Sequence, residues 1–216
     1  MGELLAFALT SFSAVFFVVD PFAAIPIFLA MTAGNSPEQR RATALRAAAT
    51  VVATLLLFAL AGGLIFRMFG ISIGAFRVAG GLLLFLMAVD MMRAHPSPTR
   101  SSAAEVAEGQ EKSEPGIVPL GLPMLAGPGA IATVSVLMSS ARASLAKAAI
   151  VLSSVLVTAL ITYLVLRSAT RLERALRTTG LNVLNRVMGL ILAAVAVQFV
   201  AMGVQELFPQ IARVPG

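Results

Sequence analysis

The sequence has no cysteine, no tryptophan and a single histidine, and only 12% of its 216 residues are charged. Without cysteine there is no disulfide and no thiolate metal centre, and the redox compartment is left unspecified. His95 stands alone in a Pro- and Ser-rich stretch, so a histidine-based metal site is not expected, and no cofactor is implied. The shortage of charge excludes most. A soluble domain is about 25% charged and roughly 45–50% apolar. Here 58% of residues are hydrophobic and the mean hydropathy is +0.93. So little polar surface cannot cover a water-exposed globule, and lipid must cover the remainder.

The charge that is present is mostly basic, with a formal balance of +6. Nucleic-acid proteins gather Lys and Arg with aromatics on a solvated face; here the bases sit in short loops between apolar runs. That placement fits anionic lipid, not nucleic acid. The start, Met1-Gly2-Glu3, lacks the basic n-region of a cleavable signal, so the first apolar stretch is expected to be retained. With one histidine and few buried acids, no nucleophile–base pair can be named. No hydrolase signature and no phosphate-binding loop is expected, and the chain reads as a non-enzyme.

Six stretches reach the roughly 20 apolar residues that a helix needs to cross the hydrocarbon. They run from about Leu4 to Met31, Ala47 to Phe66, Ile71 to Met92, Ile117 to Met138, Leu145 to Leu166 and Val187 to Phe208. The first is interrupted at Asp20-Pro21 and the fourth at Ala126-Gly127-Pro128-Gly129. A polar tract, with His95, Glu105, Glu108, Glu111 and Lys112, divides the chain into a first unit 1–92, a flexible connector 93–115 and a second unit 116–216.

The two units follow one plan. Each opens with a Pro/Gly-broken segment, continues with an intact helix and ends with a helix carrying Arg near its start, Arg77-Val78-Ala79-Gly80 in one and Arg186-Val187-Met188-Gly189 in the other. A unit of three spans is odd, so its copy enters the membrane from the opposite side. The expected fold is therefore all-α, six transmembrane helices as two inverted three-helix repeats, the first and fourth broken near the midplane. Lys and Arg set the orientation. The loops after segments one, three and five hold ten, among them Arg40, Arg41, Arg46, Arg93 and Arg167, against four on the other side. The richer side is cytoplasmic and both termini face outward, in a cytoplasmic (inner) membrane.

Functional candidates follow from the breaks. Pro removes a donor and Gly adds freedom, so each break frees backbone groups that must be satisfied by protein or by a hydrated cavity. Asp20-Pro21 reads as a helix start, with Asp as N-cap and Pro in the first turn, and Gly127-Pro128-Gly129 reads likewise without an acid. Asp20, deep in an apolar span, is a candidate proton carrier, cation ligand or anchor for a substrate ammonium, or else a satisfied cap. Arg77 and Arg186 either snorkel to the interface or face Asp20, helix carbonyls or a substrate carboxylate. Pro21, Ala23, Ala24, Gly127, Pro128 and Gly129 are candidate substrate-binding residues: the N–H groups at Gly127-Pro128-Gly129 for a carboxylate, and Ala23 and Ala24, with Ala130 and Ile131, as walls of a tight pocket. Asp90 and Glu206 read as interfacial, while Asn182, Asn185 and Gln198 are left open.

At four places the chain resembles the MarC family of membrane proteins, which includes SnatA-like small neutral amino acid transporters. The matching runs are Asp20-Pro21-Phe22-Ala23-Ala24-Ile25-Pro26-Ile27-Phe28, Pro119 to Ile131, Phe76-Arg77-Val78-Ala79-Gly80-Gly81 onward to Asp90, and Arg186-Val187-Met188-Gly189 onward to Gln198. Relatives often carry Gly-Asn where this chain has Ala23-Ala24. The resemblance implies a six-helix inner-membrane protein and, as in some members, transport of glycine, alanine or serine driven by an ion gradient, with proton and sodium both open as the coupling ion. A homo-oligomer is also left open. Two rival functions stay on the page: export or channel conduction of another small metabolite, and a non-transporting regulatory role.

Overall fold

The computed structural model describes residues 2–93, 115–141 and 144–209, apart from the side chains of Arg67 and Thr178. Nearly all of the connector expected over 93–115 lies outside the described residues. Among those described there is no strand. The helices are α1 (Gly2–Val19), α2 (Ala24–Met31), α3 (Pro37–Met68), α4 (Ile73–Met92), an irregular wide-wound segment α5 (Gly116–Leu125), α6 (Pro128–Ser140), α7 (Leu145–Arg167) and α8 (Ala169–Leu207). Among the described residues, five stretches are long and apolar enough to cross a bilayer: α1, α3, α4, α7 and the Thr179–Leu207 part of α8. The α5–α6 pair, bent by 60°, makes a sixth if it counts as one span.

Helix ends follow local chemistry. Ser36 and Gln39 form a reciprocal capping box ahead of α3: Gln39 N–H donates to Ser36 Oγ at 3.3 Å and Ser36 N–H to Gln39 Oε1 at 2.8 Å. With Pro37 at the first position, α3 starts ten residues before the apolar stretch that signals it. Similarly α8 begins well before Val187, bending at Arg177, whose φ is +53°. In the fourth segment the helix is lost earlier than Gly127. Val118 and Leu122 are extended, as residues preceding proline are driven to be, and Pro119 and Pro123 therefore break α5 before its end. The surviving turns close over five residues, with Leu120 N–H on Pro115 O and Ala126 N–H on Gly121 O.

Packing is set by small residues. α4 and α8 run antiparallel in very close contact. A Cβ on Gly203 would stand 2.7 Å from Gly74 O, one on Gly81 2.8 Å from Ala196 O, and one on Gly189 2.9 Å from Ala88 O. Gly74, Gly81 and Ala88 on one helix thus meet Gly203, Ala196 and Gly189 on the other, at seven-residue intervals that return to the same face every two turns. α5 lies on α3 in the same manner, Gly116 against Thr43 O and Gly121 against the Thr50 side chain. The outward faces carry exposed Leu57, Leu60 and Leu64 on α3, Leu82 and Leu86 on α4, and Leu156, Leu160 and Leu164 on α7. In water such a surface would aggregate; against acyl chains it is matched.

Candidate functional site

Both expected breaks are present. Helix α1 runs unbroken for five turns, about 27 Å, so the first break comes late in its span instead of at its centre. There Asp20 takes a left-handed conformation, φ +48°, tolerated by Asp because its short polar side chain bonds locally. Its N–H still closes the last turn of α1 on Phe16 O at 2.9 Å, and its Oδ1 accepts the Ala23 N–H at 3.3 Å. One residue ends one helix and caps the turn leading to the next. The side chain is fully buried, at 0% exposure. Phe16 and Phe22 meet edge to face across the break, ring centroids 6.3 Å apart, with Phe17 packed on Phe16.

The second break sits opposite the middle of α3. Gly116 packs on Thr43, Gly121 on Thr50, and Ser135 Oγ reaches Phe58 O at 3.5 Å, so Gly127 falls between those levels. Gly127 is extended and opens α6 with Pro128 in the first turn and no side-chain cap. A side chain could not be added there, since a Cβ would lie 2.5 Å from Pro123 O. Gly129 is buried against Leu84 and Met87 of α4, while Pro128 is exposed. α1 packs on α6 and α2 on α5. Pro21 and Ala24 are buried there, and Ala23 is half-buried.

The two arginines part company. Arg77 Nη1 donates to Glu206 Oε2 at 2.8 Å and Nη2 to Ser140 Oγ at 2.7 Å, tying the start of α4 to the ends of α8 and α6. Its Nε is buried without a partner among the described residues. Ser140 lies twelve residues beyond Pro128 in α6, so this cluster stands about 18 Å along the helix from the second break. Arg186 is exposed on α8. The structure therefore sets Arg77 apart from the second break. Glu206, read as interfacial, is Arg77's ion-pair partner, and Asn185 Oδ1 is buried and unpartnered among the described residues.

Two clefts escaped the sequence reading. One, of about 620 Å³, is lined by Phe28, Asn35, Pro37, Glu38, Arg40, Arg41, Leu166, Arg167 and Thr170, where α2, the start of α3 and the end of α7 converge. The other, of about 240 Å³, lies between α3, α6 and the start of α7, and Ser135, Ser139 and Ser144 line it. The loop arginines could have flagged the first, but only with knowledge that the segment-two and segment-five ends meet.

Two serine spacings also went unnoticed and qualify the expectation that no hydrolase signature is present. Gly70-Ile71-Ser72-Ile73-Gly74 and Ser144-Leu145-Ala146-Lys147 have the outline of nucleophile motifs. In both, the serine is a helix cap. Ser72 Oγ accepts Ala75 N–H at 3.1 Å, Ser144 Oγ accepts Lys147 N–H at 3.3 Å, and Lys147 Nζ is held by Glu3 at 2.6 Å. Among the described residues no group of His, Cys, Asp and Glu could hold a metal ion.

Comparison with known proteins matches residues 5–208 to the model of a "MarC family integral membrane protein". A UPF0056 membrane protein of Methanocaldococcus jannaschii, MJ1677, is 36% identical over 93% of this chain and 97% of its own length. YvbG of Bacillus subtilis, also called a UPF0056 membrane protein, is 36% identical over 95% of this chain and 98% of its own. The Escherichia coli UPF0056 membrane protein YhcE is 34% identical over 92% of each. These names place the relatives in a membrane and give no activity. No solved structure matches.

Proposed function

The chain belongs to the MarC family of integral membrane proteins, and from that premise we propose that it is a secondary transporter of small neutral amino acids, of glycine, alanine or serine size, coupled to an ion gradient. The carrying observation is the pair of backbone breaks on helices that pack on one another, one with a fully buried carboxyl group and the other with an uncapped helix start. In this reading the Gly129 and Ala130 N–H groups hold the substrate carboxylate at the positive end of α6. Asp20 meets the ammonium or carries the coupled proton. Ala23, Ala24, Ala130 and Ile131 leave room for a small side chain only.

Helix contacts that recur when the halves are exchanged support an inverted repeat and, with it, this reading. α1 packs on α7 as α5 packs on α3; α2 packs on α8 as α6 packs on α4; α2 packs on α7 as α6 packs on α3. The two clefts exchange as well. The larger lies among α2, the start of α3 and the end of α7; the smaller lies among α6, the start of α7 and the latter half of α3. They serve as vestibules on opposite faces. The larger opens to the cytoplasm and ends at Phe28, while the Arg77–Glu206–Ser140 cluster helps to seal the outer side. Rocking of one half against the other exchanges the open side.

Uptake of labelled glycine and alanine into proteoliposomes tests this. Saturable, gradient-dependent uptake is expected, and its absence across a panel of neutral amino acids overturns the proposal. Equal uptake by wild type and Asp20→Asn at every pH removes Asp20 from both of its roles.

A further inference from the structure

The larger cleft holds three guanidinium groups whose duties differ. Arg40 is committed to the fold. Its Nε donates to Thr32 O at 3.0 Å, Nη2 to Ala33 O at 3.1 Å and Nη1 to Thr170 Oγ1 at 3.5 Å, stitching the end of α2 and the start of α8 to α3. Arg41 and Arg167 are exposed. Arg41 Nε donates to Tyr163 Oη at 3.1 Å, across the line where α3 meets α7. Arg167, one turn beyond Tyr163 on α7, lines the same cleft. Glu38, the one acid lining the cleft among the described residues, has its carboxylate on Ser36 Oγ at 3.0 Å. Two cations from separate helices thus line one cleft, Arg41 held on the Tyr163 phenol, with no acid between them in the described contacts.

Directly beneath lies bare hydrocarbon. Leu45 follows Arg41 by four residues, Leu164 precedes Arg167 by three, and Leu160 precedes Tyr163 by three, so each shares a helix face with the polar group above it. All three are exposed. A polar, positive mouth stands over an apolar ridge at the end of membrane-crossing helices.

We propose that this is a binding site for an anionic phospholipid: the head-group phosphate sits on Arg41 and Arg167 beside the Tyr163 hydroxyl, and the acyl chains lie along Leu45, Leu160 and Leu164. Charge complementarity selects the occupant. A zwitterionic lipid matches the ridge but brings a compensating cation to the arginines. A soluble phosphate matches the arginines and leaves the ridge unused. Guanidinium forks suit phosphate oxygens, and basic pockets between spans are where acidic head groups are held. The site shares the cleft that the transport reading uses as its vestibule, but its test reads lipid binding and does not depend on transport.

The full chain, purified in a mild neutral detergent, is titrated in thermal-unfolding and native mass-spectrometry measurements with phosphatidylglycerol, phosphatidylcholine of identical chains, and inorganic phosphate. Phosphatidylglycerol is expected to raise the unfolding temperature and to remain bound; the other two are not. Replacing both Arg41→Ala and Arg167→Ala should weaken phosphatidylglycerol binding about thirtyfold, at roughly one surface cation's contribution per arginine. Leu160→Ser with Leu164→Ser should weaken it while sparing the arginines. If the double alanine variant does not fold, Arg41→Lys with Arg167→Lys decides, since it keeps charge and loses the fork, and reduced binding is expected. Equal effects of the two lipids overturn the proposal. So do an equal effect of inorganic phosphate, which marks a free-anion site, and undiminished lipid binding in the variants.

Discussion

At the first break a carboxylate serves the backbone that follows it, with Asp20 Oδ1 on the Ala23 N–H, whereas at the second Gly127 opens α6 with no side chain to offer. The first break lies behind five regular turns; the second lies behind a segment that two prolines have already unwound. The consequence is electrostatic. One break carries an ionisable carboxyl group and supplies its own cap, and the other presents uncapped N–H groups at the positive end of a thirteen-residue helix. A zwitterion has the complementary pair of charges. The same contrast explains why Gly stands at 127: a nearby carbonyl leaves no space for the cap that Ser, Asp or Asn would provide.

The largest change is expected from the acidic side. Asp20→Ala removes the charge and the cap and leaves a residue poorly suited to φ +48°. Uptake should fall to background, and thermal unfolding should show a loss of about 0.5–2 kcal/mol from the cap. Asp20→Asn keeps a capping oxygen and tolerates the same backbone, so it should unfold near the wild-type temperature while gradient-driven uptake is still lost. If Asn transports normally, the charge contrast between the breaks has no functional weight.

Next come the glycines of the second break. Gly127→Ala sets a Cβ against backbone, at 2.5 Å from Pro123 O, and Gly129→Ala sets one 2.9 Å from Leu84 Cδ2 and Met87 Sδ, the ends of flexible side chains. Overpacking costs about 1–3 kcal/mol, and Gly127→Ala should lie at the upper end and Gly129→Ala at the lower. Denaturation in detergent ranks them, and the reverse order contradicts the geometry. Gly81→Ala, with a Cβ 2.8 Å from Ala196 O and 2.7 Å from Val200 Cγ2, tests the same steric cost away from both breaks. It should lower stability by a similar amount while the folded fraction keeps its affinity for substrate.

Arg77→Gln should have the smallest effect on stability. The Arg77 side chain is 17% exposed and Glu206 42%, so solvent screens the pair and about 0–1 kcal/mol is at stake. Its signature is access. A thiol reagent should label a cysteine introduced at Ser139, in the smaller cleft, faster in Arg77→Gln than in the Arg77 parent, and unchanged labelling removes the pair from the outer seal.

Much of this was legible in the residues because membranes tolerate few solutions. Apolar runs of sufficient length mark the spans, and Pro beside Asp or Gly marks the places where a helix must stop. Less legible was anything decided by chain segments far apart. Ser36-Pro37-Glu38-Gln39 announces a helix start, yet polar composition hides how far α3 projects past its apolar stretch. Pro119 and Pro123, four residues apart, imply extended residues before each, a local signal overshadowed by the more conspicuous Gly-Pro-Gly that follows. Gly74, Gly81 and Ala88 look like scattered small residues until α8 supplies their counterparts. Arg77 could be placed near the membrane surface, but Glu206 and Ser140 as its partners depend on the fold.

The seven-residue contacts between α4 and α8 carry a mechanical implication. Where main chain rests on main chain at three successive levels, sliding by a single turn would drive bulky neighbours into spaces sized for hydrogen atoms. That pair is the keel of the molecule, stiff against sliding, so any rocking of one half against the other must pivot about it and leave the shorter pieces α2, α5 and α6 to swing.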